Sequence, residues 1–215
     1  MHNKFIISSL SFMALLVVVI GYFFILPVLQ PTASHGIRGM LPKPQLIEPF
    51  ELTRHDTHAF NLDSFQGQWT MLFFGYTHCP DICPMALSIL RGIKLGMDEQ
   101  YPQQTQNTQF MFVSVDGKRD TPEQLGQYVT FFHPEFVGST GNETQVNTLT
   151  RQLNIVYMLM PEQDDGNYIV NHSSSILLVS PDAQLVGRFS TPHDIADIIQ
   201  RYIQMRQIIE EDGRA

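Results

Sequence analysis

Cysteine is almost missing from this chain, with two in 215 residues, Cys79 and Cys83. Two cannot make a disulfide scaffold, and a chain that is 43% hydrophobic does not need one. Basic residues are also few. Thirteen Lys/Arg against 21 Asp/Glu give a formal net charge of −8, and no basic cluster occurs, which argues against a nucleic-acid partner. An acidic surface of this kind serves mainly as a solubilising one. There is no internal repeat, and the ten methionines are too scattered to form a metal-transfer segment. No threonine-based peroxidatic motif surrounds either cysteine, which argues against peroxide reduction. The pair needs another explanation.

Charge is absent altogether from residues 5–29. That run is long enough to cross a bilayer as a helix, and longer than the apolar core of a cleaved signal peptide. It is read as a retained anchor, with residues 1–30 forming a short head and the span. No cysteine follows it to carry a lipid. Lys4 and the amino terminus before the span favour an inside N-terminus, placing the rest outside the cytoplasm. The missing Arg-rich transit segment favours a single-pass protein of the bacterial inner membrane with a periplasmic domain. Residues 31–49 hold four prolines and no periodicity, and read as a tether. Residues 50–215 suffice for one domain with a real core.

What is present centres on residues 69–84, WTMLFFGYTHCPDICP. An apolar run with the length and aromatic content of a buried strand leads into a polar elbow, and the residues after Pro84 are helical in spacing. Both thiols are thus expected where a central strand hands over to a helix, a usual place for chemistry in α/β proteins. Residues 50–62 predict a hairpin, 110–116 a second buried strand, and 136–139 a short one. Residues 155–160, 176–179 and 185–189 predict further strands, the last two as a hairpin, with a turn at 164–167. Helix starts are read at Thr121-Pro122, Asn142 and Thr191-Pro192-His193-Asp194. The order predicts an α/β fold, a thioredoxin-like mixed central sheet with helices on both faces, preceded by one transmembrane helix.

Three residues separate Cys79 from Cys83, so within a first helical turn the side chains share a face. Amide groups at a helix N-terminus stabilise thiolates, which favours metal ligation or disulfide chemistry. The redox motif proper has two intervening residues. The extra one here, with Pro80 and Pro84, shifts the reading toward ligation. Two soft thiolates and an imidazole suit copper(I), whereas zinc prefers a fourth ligand. Of eight histidines, His172 is the stronger candidate, placed in a loop able to reach the thiols. His78 adjoins Cys79 and is expected to point elsewhere. His2 precedes the span, and His35, His55, His58, His133 and His193 are read as solvent-exposed. Asp81 is read as a helix cap and Asp116 as an acid at a strand end.

The segments FFGYTHCPDICP (73–84), VSVDGKRDTPEQL (113–125) and YIVNHSSSILLVSPDAQLVGRF (168–189) resemble the SCO/SenC family, copper-binding assembly factors of cytochrome c oxidase. The resemblance covers essentially the whole domain after the span. It implies a thioredoxin-like domain binding one copper ion, Cu(I) or Cu(II), through Cys79, Cys83 and His172. It further implies a partner such as oxidase subunit II, whose dinuclear copper centre the protein would help load, and possible exchange with other periplasmic copper chaperones or thiol reductases. The alternative is a membrane-tethered thiol–disulfide oxidoreductase using Cys79 and Cys83, with Cys79 as the attacking thiolate. Two positions depart from the family pattern. Asn171 replaces the usual aspartate before the histidine, which should orient the imidazole less strongly. Gly117 replaces the usual proline after Asp116.

Overall fold

The structure is a computed structural model and describes residues 36–163 and 167–213. The chain divides by its contacts at Gly36, and all that follows concerns the second unit, Ile37–Ala215. The proposed span at 5–29 and part of the turn at 164–167 lie outside the described residues. Among the described residues, no helix is long and apolar enough to cross a membrane.

Trp69–Gly75 forms β4, and every residue in it is buried. A strand buried on both faces needs neighbours on both sides and cover above and below. Its neighbours are β5 (Thr108–Ser114), parallel to it, and β9 (Ile176–Val179), antiparallel. The eight-stranded sheet runs β1-β10-β9-β4-β5-β6-β2-β3, with β6 at Val137–Thr140 and β10 at Gln184–Phe189. The expected hairpin at 50–62 is β2 (Leu52–Arg54) against β3 (Ala59–Phe60). Side chains alternate across β4. Trp69 packs edge-on against Tyr202 and Gly75 backs onto Cys83, so this face meets the helices α1 (Ile82–Gln100), α3 (Pro122–Phe132) and α5 (Ile195–Glu211). The other face is covered by the 3-10 turn Leu62–Phe65 and by α4 (Glu143–Gln152). Gln109 donates to the Ser64 carbonyl there, and Val115 shares a cleft with Val146. Helices on both faces of a mixed sheet are the arrangement predicted.

Four details differ from the sequence reading. The stretch read as an irregular tether contains β1, Met40–Leu46, an edge strand antiparallel to β10. Its register shifts between Met40 and Gln45, where Pro42 and Pro44 have no N–H to give; an edge tolerates that. A four-residue helix, α2 (Pro102–Thr105), lies in the segment read as loop. The strand expected at 155–160 is β7 (Tyr157–Leu159), which leaves the main sheet and pairs only with β8 (Val170–His172). Thr121 and Asn142 cap their helices with reciprocal bonds to Gln124 and Gln145, as their spacing predicts. The last helix is capped by Asp194, not Thr191, and Pro192 stays outside it.

Candidate metal centre

Beyond β4 the chain turns through Tyr76-Thr77-His78, and the Cys79 N–H bonds back to the Tyr76 carbonyl at 3.3 Å. Asp81 occupies the N-cap position of α1, but its side chain makes no capping bond. The Cys79 sulfur takes part of that role instead, accepting the N–H of Cys83 at 3.4 Å. A first-turn helix amide thus finds its partner in Cys79 Sγ. Cys83, one turn on, is fully buried, whereas Cys79 is half-buried. Both are free thiols. Gly75 explains how a sulfur fits against the end of β4. A Cβ there would lie 2.6 Å from Cys83 Sγ and 2.9 Å from the Phe112 ring.

His172 arrives from the other end of the chain as the last residue of β8, a strand position where a loop was expected. Its Nε2 lies 3.3 Å from Cys83 Sγ, and its Nδ1 lies 3.0 Å from the Ser173 carbonyl. The carbonyl can only accept, so Nδ1 carries the proton and the Nε2 lone pair faces the sulfur. Phe73 and Tyr76 hold the ring edge-on, at centroid distances of 6.0 and 5.9 Å. Burial keeps the imidazole below its ordinary pKa, opposed by the Ser173 bond. Burial likewise pushes the Cys83 thiol well up, with Cys79 adding to the effect. Both groups are neutral near pH 7, and the Cys83 S–H can donate to Nε2.

One donor atom from each of Cys79, Cys83 and His172 lies within 4.8 Å of the others. This is the sole such trio among the described residues. Ligands about 2.3 Å from a shared ion in a plane stand about 4 Å apart, so less than an ångström of closure is required. Two sulfurs and one nitrogen form a soft set suited to copper(I), and among the described residues no fourth His, Cys, Asp or Glu joins them to complete a zinc tetrahedron of side chains. Cys79 and His172 open on a cleft of about 260 Å³ lined also by Tyr76, Pro80, Ile82, Ile169 and Asn171, while Cys83 is buried. Larger hollows of about 620 and 410 Å³ lie elsewhere and contain neither cysteine nor histidine.

The other candidates are not brought in. His78 turns toward Thr77 Oγ1 (3.1 Å) and Asp120 (3.5 Å), away from the sulfurs, as expected. His58 is exposed, as read. His55, His133 and His193 are half-buried and hydrogen-bonded to Gly138 N–H, Glu135 N–H and the Phe189 carbonyl, which corrects their reading as merely solvent-exposed. His2 and His35 lie outside the described residues. Asn171 does not touch the imidazole. Alternation along β8 turns it the other way, where it donates to Met160 Sδ at 3.3 Å. The expected loss of imidazole orientation therefore does not follow, since Ser173 and the two rings orient it. Gly117 has its own reason, because any Cβ would strike the Gly141 carbonyl. Sequence reasoning missed Phe73, Tyr76 and Asp120 as neighbours of the site. The signal for Asp120 was its place in an Asp-Gly-Lys-Arg-Asp run.

Comparison with known proteins agrees with this geometry. The SCO1/SenC family model matches residues 38–207. A protein of Stutzerimonas stutzeri named "Putative copper-binding protein" is 35% identical over 174 residues, 80% of this chain and 81% of that protein. The human "Protein SCO1 homolog, mitochondrial" is 35% identical over 149 residues, 68% of this chain, which spans only 48% of that relative's length. Among solved structures, Arabidopsis thaliana ScoI with copper bound superposes with a TM-score of 0.69 at 33% identity, covering 75% of this chain and 98% of that one. Yeast Sco1 with copper bound gives 0.70 at 27% identity, covering 76% and 90%.

Proposed function

Because the chain belongs to the SCO1/SenC family, we propose that it is a membrane-anchored copper chaperone. It carries one copper(I) ion on Cys79, Cys83 and His172. The observation behind this reading is the convergence of two free thiols and a neutral imidazole, brought from separate segments of the chain to within 4.8 Å of one another beside a cleft that Cys79 and His172 line. Copper is cargo here. The ion displaces thiol protons, and the buried Cys83 gives its proton up only to a ligand that binds sulfur strongly. Three ligands leave the ion open on the cleft side, so a partner's cysteine or histidine can join it before His172 lets go. The receiving site is the dinuclear copper centre of cytochrome c oxidase subunit II or a similar copper protein, a step that rests on family resemblance. The charge-free run at residues 5–29 anchors the domain on the periplasmic side of a bacterial inner membrane.

A second reading draws on the half-buried Cys79 Sγ, which faces a helix amide while Cys83 waits one turn behind it. That is the arrangement of an attacking thiol and a resolving one. In this reading Cys79 attacks a partner disulfide, expels one partner thiolate, and Cys83 then displaces the other, leaving Cys79–Cys83 oxidised.

Metal analysis of the reduced protein, alone and as His172→Ala, separates the two. The chaperone reading expects one copper(I) per chain and an affinity at least tenfold lower in the variant. Copper loss on replacing either cysteine, with none at His172, overturns the three-ligand site. Disulfide turnover unchanged in His172→Ala, without tight copper binding, favours the reductase.

A further inference from the structure

Between β5 and α3 the chain makes a five-residue turn, Asp116-Gly117-Lys118-Arg119-Asp120, closed by the N–H groups of Arg119 and Asp120 on the Asp116 carbonyl. None of the five belongs to the metal trio. Yet the turn grips both segments that do. Asp120 is fully buried. Its carboxylate accepts the Thr77 N–H at 2.8 Å and the Thr77 hydroxyl at 2.6 Å, which holds the elbow two residues before Cys79. A third bond, from Ser114 Oγ at 2.6 Å, ties the same carboxylate to the end of β5.

The other end of the turn holds the histidine side. Asp116 pairs with Arg119 and accepts the Tyr168 hydroxyl at 2.6 Å. Arg119 donates to the Tyr168 carbonyl at 3.0 Å and lies flat over the Tyr168 ring, 3.5 Å from its centroid. Burial and the Asp116 carboxylate push the Tyr168 phenol up to about 12, so it stays a donor. Tyr168 lies four residues before His172 on the chain entering β8. The turn itself is seated against the sheet, since Gly117 touches the Gly141 backbone so closely that no Cβ fits.

We propose that this turn positions the metal site, with Asp120 registering the cysteine elbow and the Asp116–Arg119 pair registering the His172 arm to one rigid body. The reason is mechanical. Among the described residues β7 and β8 pair with each other and with no strand of the main sheet, so the backbone carrying His172 has no strand partner there, and the main sheet reaches His172 through the Phe73 ring. Arg119 replaces the missing strand neighbour with one hydrogen bond and one stacked ring. A lysine has neither the planar fork nor the stacking face. Arg119 is thus a positioning residue for His172, and Asp120 one for Cys79.

This inference rests on the three-ligand reading, and a double-mutant cycle tests it separately. Copper(I) affinity is measured by chelator competition in wild type, Arg119→Gln, His172→Ala and the double variant. If Arg119 acts through His172, Arg119→Gln costs about tenfold in the wild-type background and under twofold once His172 is gone. Asp120→Asn serves as the opposite control, with the same loss in both backgrounds because it acts on the thiol side. Equal losses for Arg119→Gln in both backgrounds, or none in either, overturn the proposal. A His172→Ala variant with wild-type affinity overturns the three-ligand reading and this proposal with it. Should Arg119→Gln not fold, Tyr168→Phe removes only the hydroxyl bond to Asp116 and is expected to lose about threefold, again only while His172 is present. One readout needs no copper: the His172 imidazole resonances of the metal-free protein shift in Arg119→Gln, and unchanged resonances count against the proposal.

Discussion

The two halves of the proposed copper site are built in opposite ways. The cysteine half stands on an enclosed part of the molecule, with β4 buried along its whole length and Cys83, in the first turn of α1, sealed against the end of that strand. The histidine half stands on a two-stranded ribbon outside the main sheet, with Val156, Met158, Leu159, Met160 and Ile169 exposed. A soft ion needs its thiolates at a fixed separation, and a strand-to-helix elbow in a packed core supplies that locally. Release needs a ligand that can leave, and a ribbon tied down by a few polar contacts supplies that. The comparison makes the thiols the permanent part of the site and His172 the adjustable one.

The largest test of this contrast is Cys83→Ser. A hydroxyl is a hard, weak ligand for copper(I), so affinity should fall at least a thousandfold, well beyond the loss in His172→Ala. Chelator competition on both variants checks it, and equal losses would erase the distinction between the halves. Next comes Gly75→Ala. A methyl group there sits 2.6 Å from Cys83 Sγ, so either the sulfur or the strand moves. Overpacking of this kind costs about 1–3 kcal/mol. Urea unfolding should show that loss, with copper(I) affinity down about tenfold. A fully stable variant with intact affinity would mean the cysteine half is softer than its burial implies.

That asymmetry also governs how much the sequence reveals. The cysteine half is legible because strand, elbow and helix start are contiguous, and a spacing of four fixes which face both sulfurs share. The capping pairs Thr121–Gln124 and Asn142–Gln145 are legible for the same local reason. The anchor at residues 5–29 is a local reading as well, though it falls outside the described residues. His172 is legible as a candidate from its place near a strand end, but not its tautomer, which a neighbouring carbonyl sets. β1 escapes because Pro42 and Pro44 break the alternation, and only a partner strand 140 residues later makes it a strand. The turn at 116–120 escapes for a related reason. Its acids and its arginine look like an ordinary charged loop until Thr77 and Tyr168, 43 and 49 residues away from their partners, are placed beside it.

A smaller effect separates the halves by pH. Cys83 is held protonated by burial, while an unfolded chain ionises a thiol near pH 9.0. Above that pH the unfolded state binds fewer protons than the folded one, so stability falls, by up to about 1.4 kcal/mol per pH unit for one buried group. His172 acts with the opposite sign. Its pKa is depressed below 6.5, so its stabilising effect is full above that value and is lost as pH falls through the range below it. Urea midpoints of the metal-free protein should therefore show Cys83→Ser flattening the limb above about pH 9, and His172→Ala flattening the limb below about pH 6.5. Variants that change the same limb would contradict the assignment.

The smallest expected effect lies beside the adjustable ligand. Asn171→Asp places the residue usual in the family next to the histidine, and a carboxylate bonded to the imidazole would strengthen it as a ligand. Here the side chain at 171 faces away from His172 and bonds to Met160 Sδ, while Ser173, Phe73 and Tyr76 already fix the ring. The remaining influence is a solvent-screened charge, worth little at an exposed position. Copper(I) affinity should change by no more than about twofold, measured by the same competition. A tenfold gain would mean that the carboxylate reaches the imidazole after all, across the cleft that residue 171 and His172 both line.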